Sequence, residues 1–158
     1  EFVVEQARLY IATKRLRTDA STLIDQDQEA IMLHQQDTLD IMRISSPDSI
    51  IICDSSPINS LFYMSPEFSK TESITKIVEK IQINPGLIFY CPPVKSSFIL
   101  DPNRLHNQKE CQEIDALIPE ILKTHLPSVW PNVICLSGDI QSRFNIAYGK
   151  ILEERTKC

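Results

Sequence analysis

Glycine is scarce in this chain: 158 residues hold three, Gly86, Gly138 and Gly149. None of them opens a G-x-x-x-x-G-K-S/T run, so these residues contain no glycine-rich loop able to wrap a phosphate in backbone N–H groups. Gly149-Lys150 is followed by Ile151 and sits in a helical pattern. Cysteine occurs five times, at Cys53, Cys91, Cys111, Cys135 and Cys158, but never with C-x-x-C spacing, which argues against zinc. Cys53, Cys91 and Cys135 lie in apolar strand-like runs and are expected to be buried thiols of a reducing cytosol. No apolar run approaches the roughly 20 residues needed to cross a bilayer. Positive charge is in deficit, with 16 Lys and Arg against 21 Asp and Glu and a net charge of -5. That balance argues against a general nucleic-acid binder, which needs a basic face. His34, His106 and His125 show no metal-ligand spacing; His34 is expected on a helix face and the other two in solvent.

What is present fits one soluble α/β domain over residues 1–158. Four short apolar runs read as strands: 2–4, 49–53, 87–91 and 132–136. Three are almost continuously apolar, the pattern of parallel strands covered on both faces. Helical patterns fill the intervals: Gln6 to Arg17, Asp19 to Arg43 with Asp19 or Ser21 as N-cap, Thr71 to Gln82, Gln108 to Thr124 with a kink at Pro119, and Asp139 to Arg155. The second helix carries a stripe of Ile24, Gln28, Ile31, Gln35, Leu39 and Met42. Two glutamines in that apolar stripe demand a reason.

In open α/β sheets, ligands bind beyond the carboxyl ends of the strands. That rule selects Glu5 and Arg8 after the first strand, and Asp54 with Ser55 and Ser56 after the second. It selects the polar loop to Asn107 after the third, and Ser137, Gly138 and Asp139 after the fourth. An apolar run ending in Asp54 has the Walker B form, in which the carboxylate holds magnesium or takes a proton from an attacking hydroxyl. Asp also commonly ends a strand simply to cap the next helix. Arg104 lies in a long loop of the kind that forms lids and could clamp phosphates; a solvated surface arginine is the plainer alternative. Glu5 and Arg8 are one helical turn apart and also suit a surface ion pair.

Taken in order, these segments resemble the ribosylnicotinamide kinase domain of the NadR type and its wider AAA-like P-loop family. Val4-Glu5-Gln6-Ala7-Arg8 resembles the family's E-x-A/G-R element, and Gln28 to His34-Gln35-Gln36 its Gln-bearing helix. Ile50 to Ile58, through Asp54-Ser55-Ser56, is similar to its strand and D-T/S-D element. Leu87 to Arg104 is similar to the strand and lid W-x-x-D-G-x-R, although Phe98 stands for the Trp, Pro102 for the Gly and Leu100 for an acidic residue. Val133 to Asp139 and on to Arg143 resembles the element that holds the adenine base.

The resemblance implies a three-layer P-loop kinase-like fold, a parallel sheet with helices on both faces. It implies ATP-dependent phosphorylation of a small-molecule or nucleoside acceptor with Mg2+ in the cytoplasm. Asp54 would be base or magnesium ligand and Arg104 would close on the transferring phosphate. Glu5, Arg8, Gln28, Gln35 and Asp101 would bind the acceptor, and Ser137, Gly138 and Asp139 the nucleotide. The first, central strand and its helix, about 25–30 residues judging by a βαβ unit, are expected to be missing before Glu1, leaving these 158 residues inactive alone. The rival expectation is a non-enzymatic remnant that binds a ligand or partner. A receiver-type domain phosphorylated on Asp54 ranks below both, because paired acids after the first strand are absent.

Overall fold

The computed structural model describes residues 2–3, 6–18, 23–83, 85–93 and 107–156. Its four strands are β1 (Phe2–Val3), β2 (Ile52–Cys53), β3 (Phe89–Tyr90) and β4 (Ile134–Cys135). Both pairings are parallel, with Phe2 opposite Ile52 and Val3 opposite Cys53, and with Phe89 opposite Ile134 and Tyr90 opposite Cys135. Parallel partners need a crossover. α1 (Gln6–Thr18) and α2 (Asp25–Ser45) provide the first, and α4 (Gln108–His125) the second. α3 (Glu72–Ile83) separates the two pairs in sequence, and α5 (Ile140–Arg155) follows β4.

The parallel α/β reading holds, but one continuous three-layer sheet is not seen. Among the described residues the strands form two separate pairs, β1 with β2 and β3 with β4. Each strand therefore keeps one edge without a strand partner among those residues. Nor are the strands covered on both faces. Residues in parallel register share a face. Val3 is 1% exposed, while Phe2 and Ile52 on the opposite face are 59% and 50% exposed. The cysteines change accordingly: Cys91 and Cys135 are exposed and Cys53 is half-buried. Cys158 lies outside the described residues.

The core sits among helices rather than against the strands. Met32 of α2, Ile74, Ile77, Val78 and Ile81 of α3, and Leu122 of α4 close around Ile58 and Leu61. The last two belong to a 3-10 helix, Pro57–Tyr63, which has no counterpart among the helices expected from the sequence. Three residues per turn put Ile58 and Leu61 on one face. Ser56 starts this helix by accepting the Ile58 N–H, and Pro57 occupies its first turn, where a missing N–H costs nothing.

α3 shows why its neighbours pack. Buried residues at 74, 77, 78 and 81 form one stripe, the three-and-four spacing of a single helix face. The chain then turns through Gly86 at φ 62, a conformation that disfavours a side chain. α4 begins with a reciprocal cap: Asn107 Oδ1 accepts from Lys109 and Glu110 N–H, and Glu110 accepts the Asn107 N–H. It continues through Pro119. His125 at its end is half-buried rather than solvated, and burial, then the Lys70 charge, lowers its pKa.

Candidate functional site

α2 brings the polar stripe to the carboxyl end of β2. The helix starts at Asp25 after Ile24; residues 19–22, where an N-cap was expected, lie outside the described set. Asp27 performs part of the cap, because its carboxylate accepts the Ile24 N–H at 2.7 Å. The same carboxylate accepts from Tyr10 Oη at 2.9 Å and pairs with Lys14 Nζ, both on α1. Desolvation pushes Asp27 up, but the Ile24, Lys14 and Tyr10 hydrogen bonds and the Lys14 charge outweigh it and hold the carboxyl below its usual range. α1 is thereby fixed against α2.

Two helical turns further on, Gln35 ties three elements together. Its Oε1 accepts the Gln6 N–H at 3.1 Å, and its Nε2 donates to Cys53 Sγ at 2.8 Å. Cys53 in turn donates to the Ser55 carbonyl. Burial raises the Cys53 thiol against the opposing effect of these bonds. Gln35 is 2% exposed and both ends of its carboxamide are engaged.

A cavity of about 60 Å³ opens between α2, the start of α1 and the 3-10 helix, with Gln28, Gln35, Ser55, Asn59, Ser60 and Tyr63 among its walls. Its wall begins one residue after Asp54. Asp54 itself is exposed, and its N–H donates to the Val3 carbonyl at 3.3 Å, which fixes its backbone at the strand end.

Cys91, directly after β3, has its thiol pushed up by burial; the Arg143 charge opposes this, and the charges of Cys135 and Asp54 add to it. Cys91 is thus within electrostatic reach of Asp54, directly after β2, and of Arg143 on α5. Ser137, Gly138 and Asp139 are exposed at the entry to α5. Gly138 has φ 89, and a Cβ there would stand 3.0 Å from Ser142 Cβ. Asp139 accepts the Ser142 N–H at 2.8 Å, and its hydrogen bonds with Ser142 lower its pKa. Arg143 Nε donates to the Gly138 carbonyl.

The structure therefore brings Gln28 and Gln35 to one cavity beside Asp54, and sets Ser137, Gly138 and Asp139 beyond the fourth strand. Arg8 is exposed on α1. Glu5, Asp101, Arg104 and His106 lie outside the described residues. Asn59, Ser60 and Tyr63 were not among the residues expected at the site; the Ser56-Pro57 start signal was the feature that could have revealed their helix.

Magnesium shared with phosphates asks a protein for only one or two carboxylates, and Asp54 fits that part. No three His, Cys, Asp or Glu side chains gather into a metal cluster among the described residues. The triphosphate does not fit in the same way. Its usual cradle is a run of free N–H groups on a glycine-rich loop, which these residues lack, and Asp139 already caps the α5 N-terminus. No helix of the described residues is long and apolar enough to cross a membrane.

Parallel strands with helical crossovers define an α/β domain. The AAA domain family matches residues 1–143, and the chain belongs to that family of P-loop nucleotide-binding domains. No curated protein and no solved structure matches it.

Proposed function

We propose that this chain carries the acceptor and magnesium side of an ATP-dependent phosphotransferase that phosphorylates a small molecule or nucleoside in the cytoplasm, as in NadR-type ribosylnicotinamide kinases. The observation that carries this reading is the polar cavity of Gln28 and Gln35 opening beside Asp54 at a strand's carboxyl end. Asp54 would take the proton of the attacking hydroxyl or stand in the magnesium shell. Arg8, Glu5 and Asp101 would surround the acceptor, Arg104 would close on the transferring group, and Ser137, Gly138 and Asp139 would meet the nucleotide base.

Transfer also needs a phosphate cradle, which these 158 residues do not contain. A strand and helix bearing one, inserted between β2 and β3, would supply it and join the two strand pairs into one sheet. The rival is a ligand-binding module without catalysis. Magnesium-dependent phosphoryl transfer by the complete native protein separates them. Asp54→Asn is expected to lower turnover at least roughly a hundredfold, the usual contribution of a positioned base. A native protein that neither binds Mg-ATP nor loses activity in Asp54→Asn sinks the kinase reading.

A further inference from the structure

α1 meets α2 along a polar seam. Gln6, Tyr10 and Lys14 follow one another at spacing four and share one face of α1. Each is tied to α2: the Gln6 N–H to Gln35 Oε1, the Tyr10 hydroxyl to Asp27 Oδ1 and the Lys14 ammonium to Asp27 Oδ2. Asp27 and Gln35 stand two turns apart on α2 and are both buried. Apolar anchoring is slight by comparison. No side chain described on α1, over residues 6–14, is buried, and Leu9 is 56% exposed. The hydrophobic core draws on α2, α3, α4 and the 3-10 helix, but on no described residue of α1.

An element with few buried apolar contacts opens at a lower free energy than the whole domain unfolds. α1 also covers something. Ala7, in its first turn, walls the cavity that Gln28, Gln35 and Ser60 wall from the other elements. Gln35 serves both structures, because its Oε1 gives the first N–H of α1 the acceptor that a helix start lacks. Parting α1 from α2 therefore removes one wall of the cavity and releases that oxygen in the same step. We propose that α1 is a flap over this cavity, latched to α2 at Asp27 and Gln35, which opens as one unit while β1 stays paired with β2. The inference concerns access to the cavity and goes beyond the phosphotransferase reading, since it needs no transfer of phosphate.

The test is native-state hydrogen exchange of the 158-residue chain in dilute solution, with and without low urea, read by mass spectrometry on fragments of α1 and α3. Corrected for intrinsic rates, α1 amides are expected to exchange about a hundredfold faster than α3 amides and to respond weakly to urea, as the opening of a small unit does. Tyr10→Phe keeps the ring and the α2 cap but removes one latch bond. It is expected to speed exchange about tenfold in α1 fragments on both sides of residue 10, the loss of one hydrogen bond to a carboxylate. A second readout reports the cavity itself. Ser60 is 4% exposed, so in Ser60→Cys, with the five native cysteines replaced by Ser, iodoacetamide reaches the thiol only on opening. Its labelling is expected to follow α1 exchange and to rise about tenfold when Tyr10→Phe is added. One rate and one urea dependence for α1 and α3, a Tyr10→Phe effect confined to one side of residue 10, or labelling that follows α3 overturns the inference. Phosphoryl transfer by the complete protein, found or not, decides the kinase reading and moves none of these readouts.

Discussion

Asp27 accepts hydrogen bonds from Ile24, Tyr10 and Lys14, so one carboxylate both starts α2 and holds α1 on it. Its pKa is depressed in the folded protein, whereas in the unfolded chain it returns to about 3.9. The folded state therefore binds fewer protons between those values. The resulting stability is fully present above about pH 4 and is lost as pH falls through the depressed folded value. Asp27→Asn is expected to cost roughly 1.5–3 kcal/mol at neutral pH, the range for hydrogen bonds to a charged group, and to flatten the acid limb. Urea unfolding from pH 7 to pH 3 checks both, and an unchanged acid limb would mean that Asp27 carries none of it. At this scale the sequence was half legible. Gln28 and Gln35 stood out because carboxamides interrupt an apolar stripe. Their division of labour did not, because it depends on whether Gln6 and Cys53 come within reach.

Among the elements, α3 and α5 have similar lengths and opposite fates. α3 buries Ile74, Ile77, Val78 and Ile81, with Ile74 at 0% exposure. α5 buries none of its residues, and Ile140, Phe144, Tyr148 and Leu152 form a stripe at spacing four that faces outward. The Phe144 and Tyr148 rings stack on each other, with centroids 5.7 Å apart. Ile74→Ala is expected to cost about 2–5 kcal/mol, because it removes packed atoms and leaves a cavity. Ile140→Ala is expected to stay within about 0.5 kcal/mol, as exposed substitutions do. Thermal unfolding of the two variants distinguishes them, and comparable losses would mean that α5 packs against the body of the domain. The five α-helices of the described residues were visible in the sequence, since periodicity and caps are local. The 3-10 helix Pro57–Tyr63 was not, although it carries Ile58 and Leu61 into the core. Seven residues with a period near three give little contrast against a loop.

For the whole molecule, strand existence and parallel direction followed from short apolar runs separated by helices, but the covering of the strands did not. Hydrophobicity records what prefers to be buried, not whether something is there to bury it. Phe2 and Ile52 pair in register on one uncovered face, and the α5 stripe adds a second apolar surface. Together with an unpaired edge on each strand among the described residues, these surfaces are where a further strand and helix would find both backbone partners and apolar contact. A chain of these 158 residues is therefore expected to bind a hydrophobic dye such as ANS under native conditions and to self-associate as its concentration rises. Phe2→Ser with Ile52→Ser should reduce dye binding from the sheet face, and Phe144→Ser with Tyr148→Ser that from α5, without loss of helix by circular dichroism. Sedimentation velocity across a concentration series, read beside the dye titration, decides the matter. A monomer at every concentration that leaves the dye dark would mean that these faces are covered within the chain itself, and the case for a strand between β2 and β3 would fall with it.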